Sequence, residues 1–318
     1  MASENIIIFG PTGQVAAAAA TFAQAKGAKV ALAMRDTKKA IPGLSPEKEQ
    51  SAGFERVSAD LTKPETIQAA VEKTGAKRAF LYLIFGKPMR PAVEALKSSG
   101  IEFVVFNSSL SLTEESDLRN VSQGDYVAWA HAQVEIALEE IFGVPNYVTV
   151  RPGAFASNVM LWKDMVKKGE VRIAYPEAVF SYIAPPDIGK LCGALLVAGP
   201  QVLETKGGRN VVNLTGPELA TQEEAVRDIG RVLGKEIPVV ALSEQQGVKL
   251  FVDGFGMPES AAQGLVSLHR RLAESGRNDK GYQGDIYEEA LSNFEKYTGE
   301  RPTTLFQWLE ENKGQFTD

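Results

Sequence analysis

The sequence predicts an α/β protein: a Rossmann-type doubly wound parallel sheet with a smaller C-terminal α/β lobe. Three observations carry this. Short continuous apolar runs alternate with helical segments through the first 150 residues, the pattern of strands buried on both faces. A glycine turn, Gly10-Pro11-Thr12-Gly13, joins the first run to the first helix. Past residue 151 the rhythm loosens, with longer loops and less regular elements.

Taken in order, Asn5-Ile6-Ile7-Ile8-Phe9 is the first strand, and residues 15–26 form an alanine-rich helix ended by Gly27. Residues 29–33 make a second strand and 54–57 a weaker third. Residues 63–74 carry helical periodicity with Pro64 near the start, where a missing N–H costs nothing. The apolar run ending at Phe85 and the run 102–106 are further strands, separated by a helix over 88–98. A longer helix covers 121–142 and a sixth strand 147–150. This order places a nucleotide-binding domain at 1–151 and a substrate lobe, in the main, at 152–318, with segments free to return to the first sheet. The lobe is expected to hold a strand at 211–214, helices near 221–233 and 243–252, a flexible loop at 277–284 and a helical tail from Thr303.

Composition bounds the function. The chain has 318 residues, 34 basic and 40 acidic, for a net charge of −6, which argues against a dedicated nucleic-acid binder. Its single cysteine, Cys192, cannot form an internal disulfide, and with only two histidines a structural zinc site is not expected. No basic, apolar leader opens the chain, and no apolar run is long enough for a bilayer, so a soluble cytoplasmic protein without a membrane partner is expected.

The glycine turn is the first chemical signal. Gly10 makes the tight turn, and Gly13 lets the backbone approach a pyrophosphate favoured by helix N-terminal amides. Thr12, Gln14 and Val15 complete that cradle, and Ala16 is small enough for close helix packing. After the second strand, where an acidic residue would take a free ribose 2′-hydroxyl, stand Arg35, Asp36, Thr37, Lys38 and Lys39. Arg35 and Lys39 suit a 2′-phosphate, so NADP(H) is the expected cofactor, while Asp36 leaves room for dual use. A solvated charge run is the plainer explanation of the same residues. Asp60 and Leu61 end the third strand, Phe85 and Gly86 follow the fourth, and Asn107 and Ser108 end the fifth. Together they trace one crevice outside the carboxyl ends of the sheet.

The turn at 10–15, Met34-Arg35-Asp36, Asp60-Leu61-Thr62, Gln133 to Leu138, Arg151-Pro152-Gly153-Ala154-Phe155 with Asn158, Ile183 to Gly189, and Gly299 to Leu305 followed by Trp308-Leu309 resemble the NmrA-like family, a branch of the atypical short-chain dehydrogenase/reductases. The resemblance covers nearly the whole chain and implies a Rossmann fold. It does not single out one activity, because the family holds both reductases and redox-sensing regulators that bind NADP without turnover.

The expected catalytic pattern is altered. The Tyr-x-x-x-Lys pair of short-chain dehydrogenases is absent: Tyr126 is followed four residues later by Ala130. Where similar reductases place a lysine, this chain has His131, four residues before Glu135. The resemblance implies that His131 touches the cofactor ribose or donates to a substrate oxygen. On a helical wheel it shares a face with Val127, Val134 and Leu138, which equally suits a buried structural histidine. His131 and Tyr126 are thus the catalytic candidates. Phe155, Asn158, Trp162 and Tyr182 are the candidates for a pocket accepting a small substrate, aromatic or polycyclic among them. His269 is placed on an exposed helix and given no role. The expected activity is NADPH-dependent reduction of a carbonyl, enone, quinone or imine. The alternatives are a redox-sensing regulator with a protein partner, or a non-redox cyclisation catalyst that retains NADP.

Overall fold

The computed structural model describes residues 4–113, 116–203 and 209–317. The chain runs through β1 (Asn5–Phe9), α1 (Gln14–Ala25), β2 (Lys29–Met34), α2 (Pro46–Ser51), β3 (Glu55–Ser58), α3 (Pro64–Thr74), β4 (Arg78–Tyr82), α4 (Arg90–Ser98), β5 (Phe103–Asn107), α5 (Tyr126–Ile141) and β6 (Tyr147–Pro152). There follow β7 (Ala154–Phe155), α6 (Lys163–Lys168), β8 (Val171–Ala174), β9 (Val179–Ile183), α7 (Pro185–Ala198), β10 (Val211–Leu214), β11 (Leu219–Thr221), α8 (Gln222–Leu233) and β12 (Val239–Leu242). The last are α9 (Glu244–Lys249), α10 (Glu259–Ser275), α11 (Gly284–Thr298), α12 (Leu305–Asn312) and α13 (Gly314–Thr317).

Seven strands form one parallel sheet in the order β10-β6-β5-β4-β1-β2-β3. The order reverses between β1 and β4, the switch point at which such sheets bind ligands. Alternation within β1 divides its side chains between two cores. Ile6 and Ile8 pack toward α1 and α7, whereas Ile7 and Phe9 pack toward α3, α4 and α5. A second lobe is built on the small sheets β11-β9-β7 and β12-β8. Its own core includes Trp162, Tyr182, Ile229 and Trp308.

The boundary between lobes is crossed repeatedly. The strand expected in the C-terminal lobe, β10, instead extends the main sheet by pairing with β6. Helix α7 lies against α1 at backbone distance. A Cβ added to Gly189 would stand 2.1 Å from the Val15 carbonyl oxygen, and one at Gly193 2.7 Å from that of Ala19. The alanine face of α1, from Ala16 to Ala23, is what allows this approach.

Three expected elements are revised. The run through Phe85 leaves the sheet at Tyr82, so Phe85 lies on the loop beyond the carboxyl edge. The helix expected from 121 starts at Tyr126, because Asp125 caps it by accepting from the Ala128 amide and a separate 3-10 turn occupies Leu118–Asn120. The loop at 277–284 is pinned: the Asp279 carboxylate accepts from Arg271 at 2.5 Å, the Ser275 hydroxyl at 2.7 Å and the Gly281 amide at 2.9 Å. Its neighbour Tyr282 donates to the Val179 carbonyl at 3.0 Å. Among the described residues, no helix is long and apolar enough to cross a membrane.

Candidate functional site

The candidate site lies at the switch point, outside the carboxyl ends of β1 and β4. Gly10 holds φ +72°, and a Cβ there would stand 2.5 Å from the Tyr82 ring, so glycine is required for both reasons. Its amide donates to the Ala33 carbonyl, and the Gly13 amide donates back to the Gly10 carbonyl, which closes the turn at the start of α1. Thr12 and Gly13 are exposed; Gln14 and Val15 are half-buried. The first turn of α1 carries no acidic residue and no side-chain cap. Its amides therefore face the crevice with the helix's positive end and without a protein anion, which fits a pyrophosphate.

Arg35 and Lys39 are exposed beside this turn. Asp36 Oδ1 accepts from the Lys38 amide at 3.0 Å, so that oxygen caps its own loop. Asp60 likewise accepts from the Thr62 amide and hydroxyl, at 2.9 and 2.8 Å. Those bonds hold its carboxyl below the usual range, with Arg35 and Lys63 adding to the effect. The side chain of Leu61 is buried in the core, so its backbone is the part left toward the crevice.

On the other side of the switch point, Phe85, Gly86, Tyr126 and His131 come together. The Phe85 ring is 52% exposed, 5.9 Å from the Tyr126 ring and 5.7 Å from that of His131. The Tyr126 hydroxyl lies 3.9 Å from the position a Cβ would take on Gly86. His131 is buried, and its Nδ1 is 2.8 Å from the Val127 carbonyl oxygen. A carbonyl only accepts, so Nδ1 carries hydrogen and donates. Burial pushes the imidazole below its ordinary pKa, against the opposing effects of this bond and of Glu135. The ring is therefore neutral at pH 7, with Nε2 a bare acceptor. Val127, expected on the buried face, is exposed because it sits in the first turn of α5.

Asn107 and Ser108 part company. The Asn107 Oδ1 is buried with no hydrogen-bond partner among the described residues, as an atom awaiting a ligand donor would be. Ser108, expected among the cofactor-binding residues, has its side chain turned inward: it is buried, and its hydroxyl donates to Glu135 Oε1 at 2.6 Å. Glu135 is paired bidentately with fully buried Arg151, at 3.0 and 2.6 Å, whose remaining nitrogen donates to the Leu112 and Thr113 carbonyls. This network fixes α5 to the loop after β5. A serine following a strand carries no sequence mark of which way its hydroxyl turns.

The four pocket candidates are also separated. Phe155 is half-buried and Asn158 exposed, on the segment leaving β6. Trp162 and Tyr182 stand in the core of the second lobe instead of on an open wall. Burial there pushes the Tyr182 phenol far above its ordinary pKa. His269, expected on an exposed surface, is buried. It meets Phe180 and Phe251 edge-on, at 5.3 and 6.0 Å, beside a hollow of about 10 Å³. The signal was present: Ala262, Val266, His269 and Leu272 follow one helical face. Two residues of consequence had no such signal. Arg56 and Glu49, on β3 and α2, form a buried-side clasp under the Arg35–Lys39 loop.

Known proteins share this architecture. An Escherichia coli NADPH-dependent quinone oxidoreductase complexed with NADPH superposes with a TM-score of 0.67 at 18% identity, covering 98% of this chain and all of that one. A Citrobacter triphenylmethane reductase complexed with NADP(H) does so with a TM-score of 0.67 at 14% identity, covering 96% and 99%. In sequence, a nitrogen metabolite regulation-like protein of Gibberella fujikuroi is 34% identical over 99% of this chain and 98% of its own length. Festuclavine synthase I of Penicillium roqueforti is 25% identical over 71% of this chain and 70% of its own. The NmrA-like family model matches residues 2–310, and the chain belongs to that family.

Proposed function

We propose that this protein is an NADPH-dependent reductase of a small carbonyl, enone, quinone or imine compound. The observation that carries the reading is one edge of the sheet holding three parts in sequence. These are the open first turn of α1, the Arg35–Lys39 cations beside it, and the Phe85–Tyr126–His131 cluster across the switch point. The solved structures with NADPH and NADP(H) share the fold and so support the same placement of a nucleotide.

The α1 amides would take the pyrophosphate, and Arg35 with Lys39 the 2′-phosphate. Asn107 Oδ1 would accept from the nicotinamide half. When bound, the nucleotide supplies the hydride. The chain's residues orient it and handle the proton. Neutral His131 offers Nε2 as an acceptor, to a ribose or substrate hydroxyl, so it is not the resting proton donor. That role falls to the Tyr126 hydroxyl beside Gly86. Exposed Phe85 gives a flat apolar wall at the point of transfer.

A second reading is favoured by one finding: the 34% relative is named as regulation-like. In that reading the nucleotide site is kept and its redox state is passed to a protein partner. Titration with NADPH, NADP⁺ and NADH under one set of conditions, followed by a quinone, enone and imine screen at 340 nm, separates the two. A reductase binds NADPH most tightly, oxidises it with substrate, and loses about 10–100-fold in turnover in Tyr126→Phe with NADPH affinity nearly unchanged. Preference for NADP⁺ with no turnover across the screen would overturn the reductase assignment in favour of the regulator.

A further inference from the structure

The turn after β2 carries its cations on a backbone that is held from below. Arg56, on the edge strand β3, donates from Nη1 to the Thr37 carbonyl at 2.5 Å and to the Lys39 carbonyl at 2.8 Å. Its Nε and Nη2 meet both oxygens of Glu49, at 2.5 and 2.6 Å. Glu49 is buried, and the Arg56 side chain is 23% exposed. One planar guanidinium thus ties α2 to two carbonyls of the 37–39 loop. From within the loop, Asp36 holds the Lys38 amide through Oδ1.

We propose that the Arg56–Glu49 clasp is the positioning device for cofactor selectivity. It fixes the loop so that Arg35 and Lys39 are presented to a 2′-phosphate instead of sampling solvent. This rests on the reading above that those two side chains take the 2′-phosphate. The physical case is preorganisation. Long cationic side chains on a free loop lose conformational entropy when they bind, and a loop already ordered loses less. Neither Arg56 nor Glu49 needs to touch the nucleotide. A fork of donors is required, because a lysine ammonium cannot hold a carboxylate bidentately and reach two carbonyls in one plane.

The clasp can be told apart from simple electrostatics by sign. Glu49 is an anion near an anion site, so by charge alone Glu49→Gln would tighten NADPH. If positioning governs, Glu49→Gln weakens it, because Arg56 loses its charged anchor. The experiment is equilibrium titration of the full-length protein with NADPH and NADH for wild type, Arg35→Ala, Arg56→Ala, Arg56→Lys and Glu49→Gln. Hydrogen exchange of the 36–40 amides accompanies it. The expected result is a loss of about tenfold in NADPH affinity for both Arg56 variants and for Glu49→Gln. NADH affinity should stay within about twofold, which also reports an intact fold, and exchange at 36–40 should quicken. Full restoration by Arg56→Lys, tighter NADPH in Glu49→Gln, or an unchanged NADPH/NADH ratio in Arg56→Ala would each overturn the clasp while leaving the Arg35 assignment standing. An unchanged ratio in Arg35→Ala would overturn the underlying reading itself.

Discussion

At the scale of single residues, burial decides more than identity. His269 is buried against Phe180 and Phe251 and lines a small hollow together with apolar residues such as Trp162, Ile173 and Leu250. Desolvation alone pushes its pKa down to about 4. The folded protein therefore holds the ring neutral, while the unfolded chain takes a proton near pH 6.5. Stability from this residue is complete above about pH 6.5 and is lost as the pH falls toward 4, by about 3 kcal/mol in all. His269→Phe is expected to flatten that part of the profile. The check is the urea midpoint at pH 7.5 and at pH 4.5, where the variant should lose less than wild type; equal losses would show that His269 is not the acid-sensitive group. Its counterpart His131 stood out in the sequence as a candidate because it lies in a segment that resembles the family. The inward turn of the Ser108 hydroxyl was not legible, for the opposite reason. Its role is set by Glu135, which reaches it only when α5 lies over β5, and nothing local to residue 108 records that.

Among the elements, the central strands of the main sheet were readable because they are largely apolar runs, the mark of burial on both faces, whereas the edge strand β3, with Glu55 and Ser58 exposed, read as weaker. The strands β8, β9, β11 and β12 were not readable. They are short, and all four carry partly or fully exposed positions that break the run. Helix α7 was hidden by composition, since Pro185, Pro186, Gly189 and Gly193 read as turn residues. The structure explains the glycines by the approach of α1. This yields a pair of predictions of opposite sign. Gly189→Ala drives a methyl into the Val15 carbonyl and should destabilise the protein by about 2–4 kcal/mol despite better helix propensity. Because Val15 belongs to the first turn of α1, nucleotide affinity should fall with it. Gly264→Ala, on the exposed face of α10 where the nearest atom would be 3.6 Å away, should be neutral or stabilising by up to about 1 kcal/mol. Thermal unfolding of the two variants tests the contrast, and a stable Gly189→Ala would show that α1 and α7 can part at little cost.

For the molecule as a whole, the half built on the main parallel sheet is not a self-contained stretch of chain. The sheet takes β10 as its edge, α7 covers the face of α1, and α11 lies over β10 through the Asn293 amide, which donates to the Asn213 carbonyl at 2.8 Å. In the other direction, the tail is tied back by Asp187, whose carboxylate accepts from the Thr303 amide at 2.6 Å and from its hydroxyl at 3.2 Å. A fragment of residues 1–151 is therefore expected to lack a cooperative unfolding transition, with β6 an open edge and the small-residue face of α1 bare. A sharp calorimetric transition for that fragment would refute this. The division near residue 151 follows the change of rhythm in the sequence, and rhythm does not report which later segments come back.

The meeting of α1 with α7 also sets a clock for the newly made chain. Their contacting residues, Val15 and Gly189, are separated by roughly 170 positions, so α1 leaves the ribosome long before its partner exists. At about 5–20 residues per second the wait is on the order of ten to thirty seconds, far longer than a helix or a collapse needs. During that interval the first strands can pair, but the alanine stripe has nothing to lie against. Completion of the crevice at the switch point thus waits for α7, although its glycine turn is made roughly 170 residues earlier.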